Sequence, residues 1–287
     1  MNDKLIKMPP SEAHNKHHAE KRRLRREASH GAKAGKTDKT RHDGLPAIPE
    51  HHVLLYGLHT VRHALANVSR IKHALYVTRN ALARLQAEPA WLETLKIEEV
   101  EPRLLDRLVG GEAVHQGAVL QCQTLEPKSL MALSQSALLL VLDQVTDPHN
   151  VGAIMRSAVA MGAGALISTN RHTPIESGVL AKAASGALDM IAHVGVRNLA
   201  ECLLELEALG YQTVGLDSEG PQILEQSLCG QKIALVLGAE GKGLRQKTRE
   251  TCNTLARIDL PGTITSLNVS NATALSLYIA HKHLARN

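Results

Sequence analysis

The chain has 287 residues, a length that predicts one large domain or two ordinary ones. Hydrophobic residues make up 44% and charged residues 21%, a composition typical of a globular protein. Its formal net charge of +5 lies in the first 50 residues, which hold 12 Lys or Arg and 7 Asp or Glu, whereas residues 51–287 hold 21 of each sign. No apolar stretch approaches the roughly 18 residues of a membrane span, and residues 1–10 lack the apolar segment of a signal peptide. We therefore expect a cytoplasmic protein with no membrane partner.

Two residue counts narrow the function further. The four cysteines form no Cys-x-x-Cys pair, which predicts neither a zinc site nor a disulfide framework and fits a reducing compartment. With one Trp, four Tyr and no Phe, the chain lacks the aromatic residues on which many RNA-binding modules stack bases. Any contact with nucleic acid should therefore depend on Arg, Lys, His and backbone groups.

Residues 1–50 are predicted to be a disordered basic tail, because they have almost no periodic apolar pattern and carry the run Lys-Arg-Arg-Leu-Arg-Arg at 21–26. The seven acidic residues argue against a mitochondrial transit peptide. Two interpretations stay open, namely a solvated tail without a specific role and an extension that binds a polyanion.

Residues 51–126 are predicted to form a small α/β domain. The expected elements are helix 60–67, strand 74–77, helix 81–95, strand 97–100, helix 103–108 and strand 118–123. Residues 127–136, with Pro, Ser and weaker periodicity, are the predicted linker to the rest of the chain.

From residue 137 onward, short apolar runs alternate with amphipathic stretches, which is typical of a largely parallel sheet covered on both faces. Strands are predicted at 137–142, 165–168, 191–196, 213–216, 233–237 and 256–260, and helices at 151–161, 200–209 and 269–285. Ligands of such sheets bind beyond the carboxyl ends of the strands. The loops after Leu142, Leu216, Leu237 and Leu260 are therefore the candidate site.

The loop after Leu142 combines a turn signal with a helix start. Asp147-Pro148 predicts the turn, and Asn150 is expected to be the N-cap of the next helix. Arg156 follows six residues later. It is either a surface arginine that extends from the helix or a group beside the cleft that holds a phosphate.

The other two loops are rich in glycine and in small polar residues. Residues 237–243 read Leu-Gly-Ala-Glu-Gly-Lys-Gly, which permits close approach to a ligand but matches neither a Walker A motif nor the dinucleotide fingerprint. Glu240 would repel phosphates, so a neutral or cationic ligand is favoured. After Leu260, small polar residues exceed what one helix cap requires; they are Ser266, Asn268, Ser270 and Asn271.

Taken together, the three loops resemble the motifs of a known family. The pattern Asn150-x5-Arg156, the run 237–243, and Ile-x-Leu-Pro at 258–261 with Ser-Leu-Asn-Val-Ser at 266–270 are similar to the motifs of the SpoU family. Members of this family are S-adenosylmethionine-dependent RNA ribose 2′-O-methyltransferases. Upstream, the segments 56–65 and 114–117 resemble the substrate-binding domain of the branch that methylates a guanosine in 23S rRNA.

The resemblance implies an α/β fold of the SPOUT type over 137–287, with a C-terminal trefoil knot that sequence physics alone would not propose. It also implies an L30e-like RNA-binding domain at 51–126, S-adenosylmethionine as the cofactor, RNA as the partner and an obligate homodimer with active sites at the subunit interface. The last predicted helix, 269–285, has apolar surface to contribute to that packing. The implied reaction requires no metal.

The same resemblance implies roles for individual residues. The expected cofactor contacts are Gly238, Ile258 and Leu267, with Leu216, Leu237 and Leu260 nearby. The expected catalytic residues are Arg156, Asn150, Glu240, Ser266 and Asn268. Because arginine is normally protonated, we expect Arg156 to position and activate the ribose hydroxyl rather than to act as a free base. RNA contacts are expected from Arg62, His63 and Arg79.

Two other functions stay open. One is ribose 2′-O-methylation of tRNA. The extra domain at 51–126 argues against it, because minimal tRNA enzymes of this family need no such domain. The other is a catalytically silent RNA-binding or ribosome-assembly protein, against which stands the presence of all five expected catalytic residues.

Overall fold

The computed structural model describes residues 48–286, apart from residues 50, 86–94, 134, 172–173 and 175. Two predictions fall largely outside the described residues. They are the tail at 1–50, except for residues 48 and 49, and residues 86–94 of the predicted helix 81–95. Residues 46–287 form one compact unit, which contains a sheet of four strands and a sheet of seven. Within the described residues, no helix has the length and apolar character needed to cross a membrane.

The four-stranded sheet is built from the first part of the unit. Its elements are β1 (His52–Tyr56), α1 (Leu58–Ala66), β2 (Lys72–Val77), α2 (Arg79–Leu85), β3 (Lys96–Glu99), α3 (Pro102–Val109) and β4 (Ala118–Gln123). The strand order is β1-β4-β2-β3, with β4 antiparallel to both neighbours and β3 parallel to β2. Apolar residues of one sheet face, such as Leu55, Leu75 and Leu120, are fully buried against α1 and α2.

The seven-stranded sheet is built from the rest of the unit. Its elements are β5 (Leu138–Asp143), α4 (Pro148–Ala160), β6 (Ala165–Thr169), α5 (Gly178–Ala184), β7 (Ala192–Val196), α6 (Leu199–Ala208), β8 (Gln212–Leu216), β9 (Gln222–Ile223), α7 (Leu224–Ser227), β10 (Ile233–Gly238), α8 (Gln246–Thr251), β11 (Thr254–Arg257) and α9 (Val269–Leu284). All neighbouring strands are parallel, which confirms the predicted parallel sheet. Every residue of β5 is buried, as expected for a strand covered on both faces.

The strand order β7-β6-β5-β10-β8-β11-β9 creates the cleft of the molecule. The chain runs outward from β5 through β6 to β7, crosses to β8 on the other side, and then returns to insert β10 between β5 and β8. The connections therefore leave β5 and β10 in opposite directions, which makes a topological switch point at the carboxyl ends of these strands.

The structure corrects two predictions at the ends of elements. The strand predicted at 256–260 ends at Arg257, because its pairing with β8 stops at Leu216; Ile258 and Leu260 therefore lie in the following loop. Asn150 is not the N-cap of α4. That cap is Asp147, because Pro148 occupies the first helical position, for which its fixed φ is suited.

Several short elements, namely β1, β9, α5, α7 and α8, were not predicted. Helix α5 illustrates the reason, since its seven residues are too few to carry an amphipathic pattern. Its position depends instead on packing against α4. An added Cβ at Gly152 of α4 would lie 2.5 Å from the Cβ of Ala183, so glycine permits this close contact.

A buried arginine connects the two sheets. The side chain of Arg70 is fully buried between α1 and β2, with its Nε 2.6 Å from Asp189 Oδ1 and its Nη1 2.6 Å from Glu176 Oε1. Nη1 also donates to the carbonyl of Gln123, 2.9 Å away. Burial alone would lower the pKa of Arg70, but the two carboxylates raise it. Arg70 thus carries a compensated charge at the junction.

Replacing Arg70 with Met should destabilise the protein by about 3–5 kcal/mol, because two largely buried carboxylates lose their counter-charge. Urea unfolding monitored by circular dichroism measures this change in the free energy of unfolding. Lys96→Met is the control, since the exposed ion pair of Lys96 with Glu98 at the sheet edge should leave the midpoint unchanged. Equal midpoints for Arg70→Met and wild type would contradict the role of this junction.

Candidate active site

A cavity of about 620 Å³ opens at the carboxyl ends of β8, β10 and β11. All six residues that the sequence predicted as cofactor contacts line it: Leu216, Leu237, Gly238, Ile258, Leu260 and Leu267. Sequence reasoning missed other lining residues, among them Asp217, Ser218 and Thr265. Asp217 and Ser218 directly follow β8, so their position after a buried strand was the available signal.

The loop after β10 forms one wall of the cavity by folding tightly on itself. The backbone N of Gly243 donates to the carbonyl of Ala239 at 2.9 Å. A Cβ at Gly238 would lie only 2.1 Å from the carbonyl carbon of Gly243, so only glycine fits at this close approach. Gly241 and Gly243 have φ values of 72° and 63°, which glycine adopts without strain.

Asp143 anchors the far end of this loop and was not singled out from the sequence. Its carboxylate is fully buried at the end of β5. Oδ1 accepts from Arg245 Nε at 2.7 Å, and Oδ2 accepts from the Arg245 backbone N at 3.0 Å. Because β5 and β10 are neighbours, this clamp fixes residues 239–245 relative to the sheet.

Three of the predicted catalytic residues meet at the edge of the cavity. Glu240 Oε1 accepts from Asn150 Nδ2 at 3.1 Å and from Asn268 Nδ2 at 2.5 Å. Asn268 Nδ2 also donates to Asn150 Oδ1 at 3.1 Å, and the backbone N of Val269 donates to Glu240 at 3.2 Å. Since Asp147 caps α4, the Asn150 side chain is available for this cluster.

The residues 266–268 connect the cavity to α9. Ser266 lines the cavity and is exposed. Asn268 is the N-cap of α9, and its Oδ1 accepts from the backbone N of Ser270 at 2.9 Å. Asn268 therefore has two roles, because its oxygen caps the helix while its amide nitrogen binds Glu240 and Asn150.

Arg156 lies apart from the residues that line the cavity. It is exposed on α4, six residues after Asn150, which corresponds to about 9 Å along a helix axis. The structure therefore does not bring this predicted catalytic residue into the cavity with Glu240 and Ser266.

The predicted RNA contacts differ in accessibility. Arg62 and Arg79 are exposed, and Arg62 Nη2 donates to the carbonyl of Arg84 at 2.7 Å. His63 is half-buried, and its ring lies where a Cβ of Gly186 would be. His63 thus packs between α1 and the turn after α5, while part of the residue stays accessible.

A larger cavity of about 730 Å³ contains none of the predicted site residues. His193, one of its lining residues, has a pKa lowered by burial and lies 2.8 Å from Ser168 Oγ. In the part of the chain that the structure describes, no group of three or more His, Cys, Asp or Glu side chains could hold a metal ion.

Two family models match this chain. The model of the SpoU rRNA Methylase family matches residues 137–278, and that of RNA 2′-O ribose methyltransferase substrate binding matches residues 54–128. A relative, the 23S rRNA (guanosine-2′-O-)-methyltransferase RlmB of Ralstonia nicotianae, is 38% identical over 236 residues, covering 79% of this chain and 94% of the relative. The chain belongs to the SpoU rRNA methylase family. This confirms the resemblance inferred from the three loops.

Further comparisons agree with membership of the SpoU family. RlmB of Pseudomonas putida is 37% identical over 243 residues, covering 79% of this chain and 94% of that protein. The AdoMet-bound rRNA methyltransferase from Sinorhizobium meliloti has a TM-score of 0.69 at 24% identity, covering 82% of this chain and 88% of that one. The structural likeness shows that the two chains share the SpoU fold.

Gly238→Ala tests the cavity directly. The added Cβ would overlap the backbone of Gly243 and displace the wall of the cavity. We expect the affinity for S-adenosylmethionine, the ligand that the SpoU resemblance implies, to fall by a factor of roughly 10 to 100 in calorimetry. Gly262→Ala is the control, because a Cβ there meets nothing within 4 Å. Wild-type affinity in Gly238→Ala would exclude this cavity as the binding site.

Proposed function

We propose that this protein transfers a methyl group from S-adenosylmethionine to the ribose 2′-hydroxyl of a guanosine in 23S rRNA. The observation that carries the proposal is the cluster of Asn150, Glu240 and Asn268, in which Asn150 of the first motif loop meets the edge of a cavity lined by the other two motif loops. Two relatives that match this chain over 94% of their own length are named 23S rRNA (guanosine-2′-O-)-methyltransferase. A cytoplasmic location is part of the proposal and is consistent with an rRNA substrate.

The residues of the cavity fit S-adenosylmethionine. Its volume lies within the range of small-molecule sites, and Leu216, Ile258, Leu260 and Leu267 provide an apolar wall. Gly238 and Gly241 line the cavity without side chains, so an adenine can approach their backbone closely. Glu240 at the edge suits a cationic ligand better than a phosphate chain. When bound, the cofactor supplies a methyl group attached to a positively charged sulfur.

The chain must align the ribose hydroxyl with that methyl group and help to remove the hydroxyl proton. We assign the alignment to Asn150, Glu240, Asn268 and Ser266. The first three are hydrogen-bonded to one another, and Ser266 lines the cavity two residues before Asn268. Alignment of this kind can lower a barrier by roughly 7–11 kcal/mol. We assign to Arg156 the positioning and electrostatic activation of the hydroxyl through its guanidinium group.

A homodimer is part of the proposal. Arg156 is exposed on α4 and absent from the cavity, as expected if a subunit interface completes the active site. Leu275 and Tyr278, one turn apart on α9, are 44% and 49% exposed and provide apolar surface for such an interface. Of the other apolar residues on this helix, Leu277 is fully buried in the core of its own chain.

The finer architecture is also proposed. A trefoil knot is supported by the insertion of β10 between β5 and β8 and by the return of the chain after β11 to pack α9 on α4. An L30e-like RNA-binding domain at 51–126, a linker at 127–136 and a catalytic domain at 137–287 agree with the ranges of the two family matches. Arg62, His63 and Arg79 are proposed RNA contacts.

Labelled methyl transfer tests the proposed function. Purified protein should transfer the methyl group of labelled S-adenosylmethionine to 23S rRNA, and mapping should locate the label on a guanosine ribose. Incorporation into tRNA alone would favour the tRNA alternative. No incorporation by folded protein that binds the cofactor would favour a silent RNA-binding protein.

Arg156→Lys tests the role of the guanidinium group. Lysine keeps the positive charge but lacks the planar fork, so kcat should fall by about a hundredfold while the affinity for S-adenosylmethionine is unchanged. Single-turnover methylation of 23S rRNA measures the change. Near-normal kcat would exclude any role that requires the fork.

A further inference from the structure

The two upstream motifs meet at one side chain, that of Gln116. Its Oε1 accepts from the backbone N of Leu58 at 3.1 Å and from Lys182 Nζ at 2.9 Å. Gln116 has a φ of 55°, an uncommon conformation for a residue with a side chain. The turn at 114–117 and the start of α1 therefore converge on a lysine from α5, in the other part of the chain.

Gly57 makes room for this lysine. A Cβ at Gly57 would lie 2.5 Å from Lys182 Nζ, so any larger residue would displace the ammonium group. The φ of Gly57 is 95°, which also favours glycine. One residue before the lysine, the carbonyl of Ala181 accepts from Thr60 Oγ1 at 3.2 Å and fixes α5 against α1.

Lys182 has no anionic partner among the described residues. Its hydrogen bond goes to the neutral amide of Gln116, and no ion pair includes it. The group is half-buried, and burial lowers the pKa of Lys182 with no carboxylate to offset the effect. Arg70, by contrast, is paired with two carboxylates at the same junction. A partly desolvated cation without an anion is unfavourable unless a ligand supplies the anion.

We propose that Lys182 and Gln116 form a binding site for a phosphate of the substrate RNA, at the junction between the two sheets. This inference rests on the proposed function. The exposed side chain of Gln116 leaves the site open to solvent, and its Nε2 is a second donor beside the ammonium. Because Lys182 lies on α5, which packs against α4, a phosphate held here would fix the RNA relative to both the substrate-binding segment and the catalytic segment.

A purely structural contact between Gln116 and Lys182 is the alternative that the experiment must exclude. Gln116→Glu separates the two roles, because a carboxylate still accepts from Leu58 N and from Lys182 but neutralises the ammonium. A structural contact would be retained or strengthened, whereas a phosphate site would be lost. Lys182→Met removes the charge and keeps most of the aliphatic stem. Lys96→Met is the control, because it also removes one positive charge. Lys96 lies on β3, at the edge of the four-stranded sheet away from β1 and α5.

Binding of transcribed 23S rRNA to the full chain is measured between about 50 and 200 mM salt, with S-adenosylmethionine affinity and the unfolding midpoint in parallel. We expect Gln116→Glu and Lys182→Met to raise the Kd for RNA roughly tenfold and to reduce the slope of log K against log salt by about 0.7–0.9. Cofactor affinity should be unchanged in both variants, and the midpoint should be unchanged in Gln116→Glu. Lys96→Met should bind RNA as wild type does.

Wild-type RNA affinity and salt slope in Gln116→Glu would overturn the phosphate site, even if Lys182→Met failed to fold. In that case an active wild-type enzyme would leave the proposed function intact. If wild type itself neither bound nor methylated 23S rRNA, both the proposed function and this inference would be wrong.

Discussion

The carboxylate of Glu240 holds together three segments that are far apart in the chain. It accepts hydrogen bonds from Asn150 at the start of α4 and from the side chain and backbone at 268–269 at the start of α9. Each segment lies at the end of a different strand or helix, so the cluster forms only when the sheet is assembled in its observed order. Because the acceptor is charged, these hydrogen bonds are stronger than neutral ones. The geometry of the cavity edge therefore depends on one side chain.

Close backbone approach sets the shape of the cavity behind this cluster. Gly238 ends β10 in contact with Gly243, and the buried carboxylate of Asp143 fixes the far end of the loop to β5. Both ends of the loop are thus fixed. Gly238 packs directly against Gly243 at one end, and Arg245 forms an ion pair with Asp143 at the other. Such a wall needs little rearrangement to receive a ligand, which favours binding that is both tight and oriented.

The junction between the two sheets uses two cations in opposite ways. Arg70 is buried and compensated by Glu176 and Asp189, so it serves the stability of the unit. Lys182 is half-buried and bound only to a neutral amide, so its charge is directed to solvent. The same junction thus contains one cation whose charge is neutralised within the chain and one whose charge is not.

From the residues alone we predicted most of the strands, the parallel sheet and the family. Apolar runs such as 138–143 and 233–238 reveal buried strands because the burial of both strand faces leaves no room for polar residues. The expected cofactor contacts came from the resemblance of the three loops to the SpoU motifs. All six line one cavity, because the loops beyond the carboxyl ends of neighbouring parallel strands meet at one edge of the sheet.

The contacts between these elements became clear only from the folded structure. It replaced Asn150 by Asp147 as the helix cap, inserted β10 between β5 and β8, and joined Gln116 to Lys182 across 66 positions of the chain. Local patterns cannot specify such pairings, because hydrogen bonds between distant residues depend on strand order and on which neighbour already satisfies each polar group. The polar residues of the site could therefore be predicted from the sequence, whereas their hydrogen-bond partners depend on the assembled sheet.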